Sequence, residues 1–293
     1  MDAATLLLWL STLRLATPLA LAAMGELVAE RAGVLNVGIE GMMLGGALAA
    51  FSVGAATGSV LAGCAAGIAA GLALAALFAY FVLRRGADPI VAGTALNVLA
   101  LGLTGVVFRS LNPAGSALSR APQMGEVAPA LNLYLLVAIA LVAGVAFYLG
   151  RTRSGLALRA VGERAEAAHV QGVNVLRIRL GAVLFGGACA GLAGSSLVLW
   201  ISDTFVEGMT SGRGFIALSL VLFGGYRPLR IVAGALLFGA ASALQYRLQA
   251  ASSAIPYNLL LMTPYLLTLL VLALLAGRVR APADLARPFE PRD

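Results

Sequence analysis

Residues 25–46 read "GELVAERAGVLNVGIEGMMLGG". Glu26, Glu30, Glu40, Arg31 and Asn36 fall here between two strongly apolar runs, near 4–24 and 37–58. A membrane-spanning helix needs about 20 mostly apolar residues, and each flanking run has that length. Charge within such a run is costly unless it faces protein or a wet cavity. The stretch therefore reads as a polar break between two membrane helices. It sets the expected fold class: all-α and polytopic, with broken or half helices.

The rest of the chain has the same character. Of 293 residues, 60% are hydrophobic and 11% charged, and mean hydropathy is +0.94. Soluble domains carry about 25% charged residues, so this chain lacks the polar residues to cover a water-soluble surface. It has room for about 8–10 transmembrane helices in a single domain, 1–293, and little else. All 20 basic residues are Arg, against 13 acidic ones, for a net charge of +7. In a membrane protein an Arg excess marks cytoplasmic loops, and no aromatic-interleaved basic patch points to nucleic acid. Cys64 and Cys189 lie inside apolar runs without a partner at metal-ligand spacing, and read as small packing residues. The opening "MDAATLLLWL" has no basic residue before its apolar run, unlike a cleaved signal peptide.

Further apolar runs fall near 60–83, 89–108, 131–150, 180–201, 214–225, 229–247 and 257–276. The run at 214–225 is too short to span alone, so it is either a half-helix or re-entrant piece, or a helix that extends back over Arg213. With nine crossings and an outside N-terminus, fifteen of the twenty arginines fall in inner segments, as the positive-inside rule requires. Arg109, Arg120, Arg213 and Arg247 are then outer. "GCAAGIAAG" places Gly63, Gly67 and Gly71 four apart on one helix face, and Gly187/Gly191 repeat the spacing. Such faces let helix backbones approach closely in lipid. The Pro-rich tail, about 278–293, reads as a frayed, disordered cytoplasmic end.

No catalytic set appears, so the chain reads as a non-enzyme. His169 is the only histidine, which removes His triads and His-based metal sites, and no metal site is expected. No phosphate-binding GxxxxGK[ST] loop is present. The most informative polar stretch is 151–179, "RTRSGLALRAVGERAEAAHVQGVNVLRIR", the longest inner loop, with six arginines. It reads as a short helix, a glycine-permitted turn and a second amphipathic piece. A plain positive-inside loop or an interfacial amphipathic helix would share much of that composition.

"EAA", three residues, then Gly, at Glu166, Ala167, Ala168 and Gly172, resembles the coupling-loop signature of permease subunits of bacterial ABC importers. "LRAVGERAEAAHVQGVNVLRIR" resembles the version in permeases for simple sugars, branched-chain amino acids and nucleosides. "GELVAERAGVLNVGIEGMMLGGALAAF", "ADPIVAGTALNVLALGLTG" (87–105) and "GRGFIALSLVLFGGYRPLRIVAGALLFG" (212–239) resemble the nucleoside permeases that work with basic-membrane-protein-type lipoproteins. The Ile-x-Leu-Pro ending of other importers' signature is absent. The resemblance implies an ABC importer permease for nucleosides or related ribosides in a bacterial inner membrane. The implied partners are a second permease subunit in a heterodimer, a cytoplasmic ATPase that binds the ATP and magnesium, and an extracytoplasmic substrate-binding lipoprotein. No cofactor is expected in this chain. Gly162, Glu163, Glu166, Ala167, Ala168 and Gly172 would then form the ATPase-coupling loop.

Candidates for the translocation path are Asn36, Glu40, Thr94, Asn97 and Phe215. Glu40 reads equally as a helix N-terminal cap or as pore lining, and Asn36 as a cap for the same helix. Asn97 in mid-run wants a polar partner, either substrate or another helix. Arg31 is expected to pair with Glu30, or to neutralise Glu26 or Glu40. Trp200 reads as an interfacial belt residue. Two rival functions are a sugar or branched-chain amino-acid permease, and a proton- or ion-coupled secondary transporter using Glu26, Glu30 or Glu40.

Overall fold

The computed structural model describes residues 3–111, 120–125, 132–250 and 280–289, together with Met262 and Leu266. The apolar run at 257–276 lies outside the described residues apart from those two. Among the described residues, seven helices are long and apolar enough to cross a membrane, and no strand occurs.

In chain order these helices are α1 (Ala3–Arg31), α2 (Ile39–Thr57), α3 (Val60–Ala79), α4 (Pro89–Leu111), α5 (Leu133–Arg151), α8 (Val175–Ser196) and α10 (Pro228–Ala250). Between α5 and α8 come two short helices, α6 (Arg153–Glu163) and α7 (Ala165–Val170). The half-length α9 (Arg213–Phe223) precedes α10. α3 and α8 each end in a widened π turn, Tyr80–Arg84 and Leu197–Ile201. Polar side chains start several helices. Ser59 accepts from Ala62 N–H, Asn132 from Tyr134 N–H, Thr152 from Gly155 N–H and Asn174 from Arg177 N–H. Each satisfies a backbone donor that lipid could not.

α8 is the central helix, packed against α1, α2 and α3. The contact surfaces are made of small residues. A Cβ on Gly71 would overlap the Gly187 carbonyl, and one on Gly194 would overlap the Met43 carbonyl. A Cβ on Gly46 would sit 2.6 Å from Gly191 Cα. No solvent-driven hydrophobic effect pushes helices together inside lipid, so close backbone approach supplies the dispersion contact. The glycine spacing legible in the sequence is thus the α2–α3–α8 seam.

The contacts sort the segment ends into two groups. At one end, the 32–34 turn, the π turn at Tyr80–Arg84, α6, α7, the start of α8 and residues 280–289 meet. Arg31 joins Tyr226 there. At the other end, Arg14 donates to the Trp200 carbonyl, Arg120 pairs with Asp203 and Arg109 with Glu207. The grouping matches the sides that the arginine distribution assigns, with one correction. Arg213 is not in an outer loop. It begins α9 and donates to the carbonyls of Met209 and Thr210.

The segment before α9 runs deep into the bundle. Glu207 pairs with Arg109 near the end of α4, Gly208 lies opposite Leu101, and Gly212 and Gly214 reach Glu40, whose neighbour Gly41 is held by Asn97. From Arg109 to Asn97 is a descent of about 18 Å along α4. α9, at 11 residues, is only about 16 Å long, half a membrane core. The short run is therefore the half-helix of the two sequence alternatives, and it starts at Arg213.

Trp200 also departs from expectation. It is 4% exposed, stacked on Tyr134 at 6.2 Å and 13°, with the Arg14 guanidinium 5.9 Å from its ring. It is a packing residue inside the bundle rather than a lipid-interface residue. The tail is corrected likewise: 280–289 is docked, not frayed. Asp284 N–H donates to Gly162 carbonyl, Ala286 N–H to Gly33 carbonyl, and Phe289 packs near Val161 and Val175 and edge-on to His169. Proline-rich composition suits a fixed turn-containing strap as well as a loose end, and the backbone bonds make it the former.

Candidate functional site

α2 begins inside the bundle, and its start lacks a side-chain cap of its own: Gly38 occupies the N-cap position. Asn97 of α4 supplies the cap from across the helix interface. Its Oδ1 accepts from Gly41 N–H at 2.8 Å, and its Nδ2 donates to the Val37 carbonyl at 2.9 Å. Asn97 thus bonds across the helix interface with both atoms of its amide. Close approach is required here, since a Cβ on Gly41 would sit 3.0 Å from the Asn97 Oδ1.

Glu40, in the first turn of α2, caps a different helix. Its Oε1 accepts from Gly212 N–H at 2.7 Å and its Oε2 from Gly214 N–H at 2.6 Å. Those are the N-cap and second positions of α9. Two helix N-termini therefore meet within the membrane depth, and one carboxylate sits between them. Each N-terminus carries roughly half a unit of positive charge, so Glu40 is favourably placed relative to both. Gly214 has no room for a side chain: a Cβ would be 2.7 Å from the Glu40 backbone.

Asn36 does not cap α2. It is fully buried, its N–H donates to Glu26 Oε1 at 2.9 Å, and its Nδ2 faces the Met42 sulfur at 3.4 Å. Glu26 and Glu30 are also buried, 0% and 2% exposed. Glu26 Oε2, Glu30 Oε1 and Asn36 Oδ1 lack a hydrogen-bond partner within the described residues. Arg31 pairs with none of the three glutamates: its Nη2 donates to the Tyr226 carbonyl at 3.1 Å, and its guanidinium lies 5.1 Å from the Tyr226 ring. The physical reason is helix geometry. Glu30 and Arg31 are adjacent on α1 and so point about 100° apart. Burial, followed by the neighbouring Glu30 carboxylate, holds the Tyr226 phenol above its ordinary range.

Thr94 and Phe215 are brought to exposed faces. The Thr94 hydroxyl donates to the Ile90 and Val91 carbonyls of its own helix, and Phe215 is 44% exposed one turn into α9. The partly exposed Ser219 hydroxyl, one turn further, donates back to the Phe215 carbonyl. Ser219 was not legible as a candidate; only the exposed face of α9 identifies it.

At the other location, α6 and α7 form a compact elbow. Val161, Ala165, Ala168 and Val175 make a small apolar core, closed by Phe289. Gly162 is buried, because a Cβ would overlap the Arg31 carbonyl. Glu163, Glu166, Ala167 and Gly172 are exposed. Gly172 takes φ +82 with nothing within 4 Å of a notional Cβ, so it permits the turn that ends α7. The six sequence candidates thus separate into two that hold the elbow and four that it presents. The start of α7 has no cap from its own loop; Asp284 Oδ2 accepts from Ala165 N–H at 2.7 Å. No loop pattern in 151–179 signals that remote cap.

Among the described residues, no three of His, Cys, Asp or Glu come together as a metal-ligand set.

A family model for the permease component of branched-chain amino acid transport systems matches residues 8–275. The glucose ABC transporter permease protein TsgC13 of Haloferax volcanii, provisionally so assigned, is 42% identical, over 85% of this chain and 79% of its own length. The guanosine ABC transporter permease protein NupQ of Bacillus subtilis is 33% identical, over 95% of each chain. A solved metal-chelate type ABC transporter, also provisionally assigned and in an inward-facing conformation, superposes with TM-score 0.50 at 16% identity. The match covers 91% of this chain and 84% of that one, a likeness of fold.

Proposed function

The chain belongs to the family of branched-chain amino acid transport system permease components, a multi-pass ABC transporter permease, and from that premise we propose that it carries nucleosides. In this reading it is the transport subunit of an ATP-driven importer in a bacterial cell membrane. It performs no bond chemistry; a separate ATPase binds ATP and magnesium, and a binding lipoprotein delivers cargo from outside. A second, different permease chain completes the path. One transmembrane domain, 1–293, does this work, with 151–179 as its coupling segment.

The observation that carries the substrate class is the junction at Glu40. Half-helix N-termini in transporters serve anionic substrate groups. Here the chain's own carboxylate already occupies the N-terminus of α9, at 2.7 Å and 2.6 Å, and the Asn97 side chain caps that of α2. At this junction a substrate carboxylate would meet Glu40 rather than free N–H groups of α9. That favours a polar, uncharged cargo over an amino acid. Phe215, exposed at the start of α9, offers an aromatic face on which a base can stack. Similarity to a guanosine permease across nearly the full length of both chains supports the same choice.

A sugar is the second reading, favoured by the 42% identity to TsgC13. The test is uptake of labelled guanosine, uridine, glucose and leucine by the assembled importer in proteoliposomes. Guanosine or uridine uptake that excess glucose and leucine leave unchanged is expected. Glucose uptake that nucleosides do not inhibit overturns the proposal in favour of the sugar. Uptake that fails when ATP is maintained and the proton gradient collapsed would instead favour a proton-coupled mechanism.

A further inference from the structure

Arg179 sits near the start of α8 and is 2% exposed. Its Nε donates to the Ala32 carbonyl at 3.2 Å and its Nη1 to the Arg287 carbonyl at 2.9 Å. Its Nη2 has no hydrogen-bond partner among the described residues. That nitrogen lies 2.9 Å from where a Cβ of Gly33 would stand. Gly33 and Arg179 both line a cavity of about 310 Å³. Arg84, Arg85, Arg287 and Phe289 also line it, and none of its lining residues is acidic.

Four arginines around one cavity repel each other, and a buried guanidinium N–H left unsatisfied is costly. Two carboxylates lie close in sequence to the lining residues, and one of them pairs with a cavity arginine, Arg287. Asp88 accepts from Ile90 and Val91 N–H at the start of α4. Asp284 takes Ala165 N–H at 2.7 Å, and the Arg287 side chain at 3.7 Å. Arg85 partly rests on Tyr80, donating to its hydroxyl at 3.1 Å. The cavity thus offers one buried guanidinium with an unused N–H and three exposed ones at its edge. That arrangement fits a compact oxyanion with several acceptor oxygens. It sits where α3 ends and α8 begins, at the end of the bundle shared with the elbow.

We infer that this cavity is a binding site for a phosphate-bearing anion, held by Arg179 at its base and by Arg84, Arg85 and Arg287 at its mouth. Basic pockets between membrane helices at the inner face take lipid headgroups, and a soluble phosphate compound would present the same oxygens. The site is separate from the Glu40 junction and does not depend on which cargo the path carries. Its occupant would touch the 32–34 turn, α8 and the docked tail at once, and so brace the segments that hold the elbow.

The experiment uses the full chain in nanodiscs. Thermal stability and bound-lipid content are measured in pure phosphatidylcholine and with one third phosphatidylglycerol. Inorganic phosphate or pyrophosphate is titrated into the phosphatidylcholine sample. Arg84→Gln/Arg85→Gln/Arg287→Gln removes side chains that are exposed, so the fold is retained; Arg179→Gln is run beside it. Stabilisation by phosphatidylglycerol alone identifies a lipid headgroup, and stabilisation by pyrophosphate or phosphate in phosphatidylcholine identifies a soluble source. In either case the triple variant should bind at least about tenfold more weakly, since each arginine near the surface contributes substantially. Absence of both effects overturns the site, as does an equal response in the triple variant.

Discussion

Glu40→Gln tests the junction directly. The glutamate accepts two backbone N–H groups of α9, one on each oxygen. Glutamine keeps the size, retains one acceptor, and turns an N–H₂ group toward the other N–H. A hydrogen bond to a charged group contributes about 1.5–3 kcal/mol net. Losing one such bond and weakening the other should cost about 2–4 kcal/mol locally. At about 1.4 kcal/mol per tenfold, the opening equilibrium at the start of α9 rises about 30-fold to about 700-fold. Hydrogen exchange of residues 209–216, measured on the full chain in nanodiscs, reads that number. Glu40→Asp should behave similarly, because a side chain about 1.5 Å shorter cannot reach both N–H groups. Thr94→Ala is the control, since that hydroxyl bonds only its own helix. Exchange within about threefold of wild type, in a Glu40→Gln protein that reaches the membrane normally, would refute the shared-cap reasoning.

Three other outcomes are expected. Asn97→Ala leaves Gly41 N–H and Val37 carbonyl without their interhelical partner and should lower stability in a denaturing-detergent titration by about 1–3 kcal/mol, the range for a buried polar group left unsatisfied. Gly71→Val should prevent accumulation in the membrane, because even a Cβ overlaps the Gly187 carbonyl, whereas Gly102→Ala meets open space and should accumulate at wild-type level; immunoblotting of membranes distinguishes them. In the elbow, Ala167→Arg should abolish uptake at normal protein level, since the position is exposed. Ala168→Arg should lower the protein level itself, because Ala168 is 6% exposed within the elbow core.

Much of the architecture is local and therefore legible. Hydrophobic length gives the spans, and the shortness of 214–225 gives the half-helix as one of two alternatives. The four-residue glycine spacing gives the packing seam, and the arginine distribution sorts the ends. Three departures share one cause: each concerns a partner distant in sequence. Trp200 looks like an interface residue until Tyr134 and Arg14 are placed on it. Arg31 looks like a glutamate partner until Tyr226 arrives from the end of α9. The tail looks loose until Gly33 and Gly162 offer it carbonyls.

"GELVAERAGVLNVGIEGMMLGG" by itself established that the chain breaks between two membrane helices there, although α1 continues through Glu26 and Glu30 to Arg31 and the break is confined to 32–38. Lipid enforces that reading, because charge and unpaired backbone are too costly within a span. Which group each polar residue satisfies was decided only by packing. Glu40 caps α9, 172 residues away, and Asn97 caps α2, 56 residues away. Composition fixes that such groups need partners, but only the folded arrangement of helices sets which donors and acceptors come within 3 Å of one another.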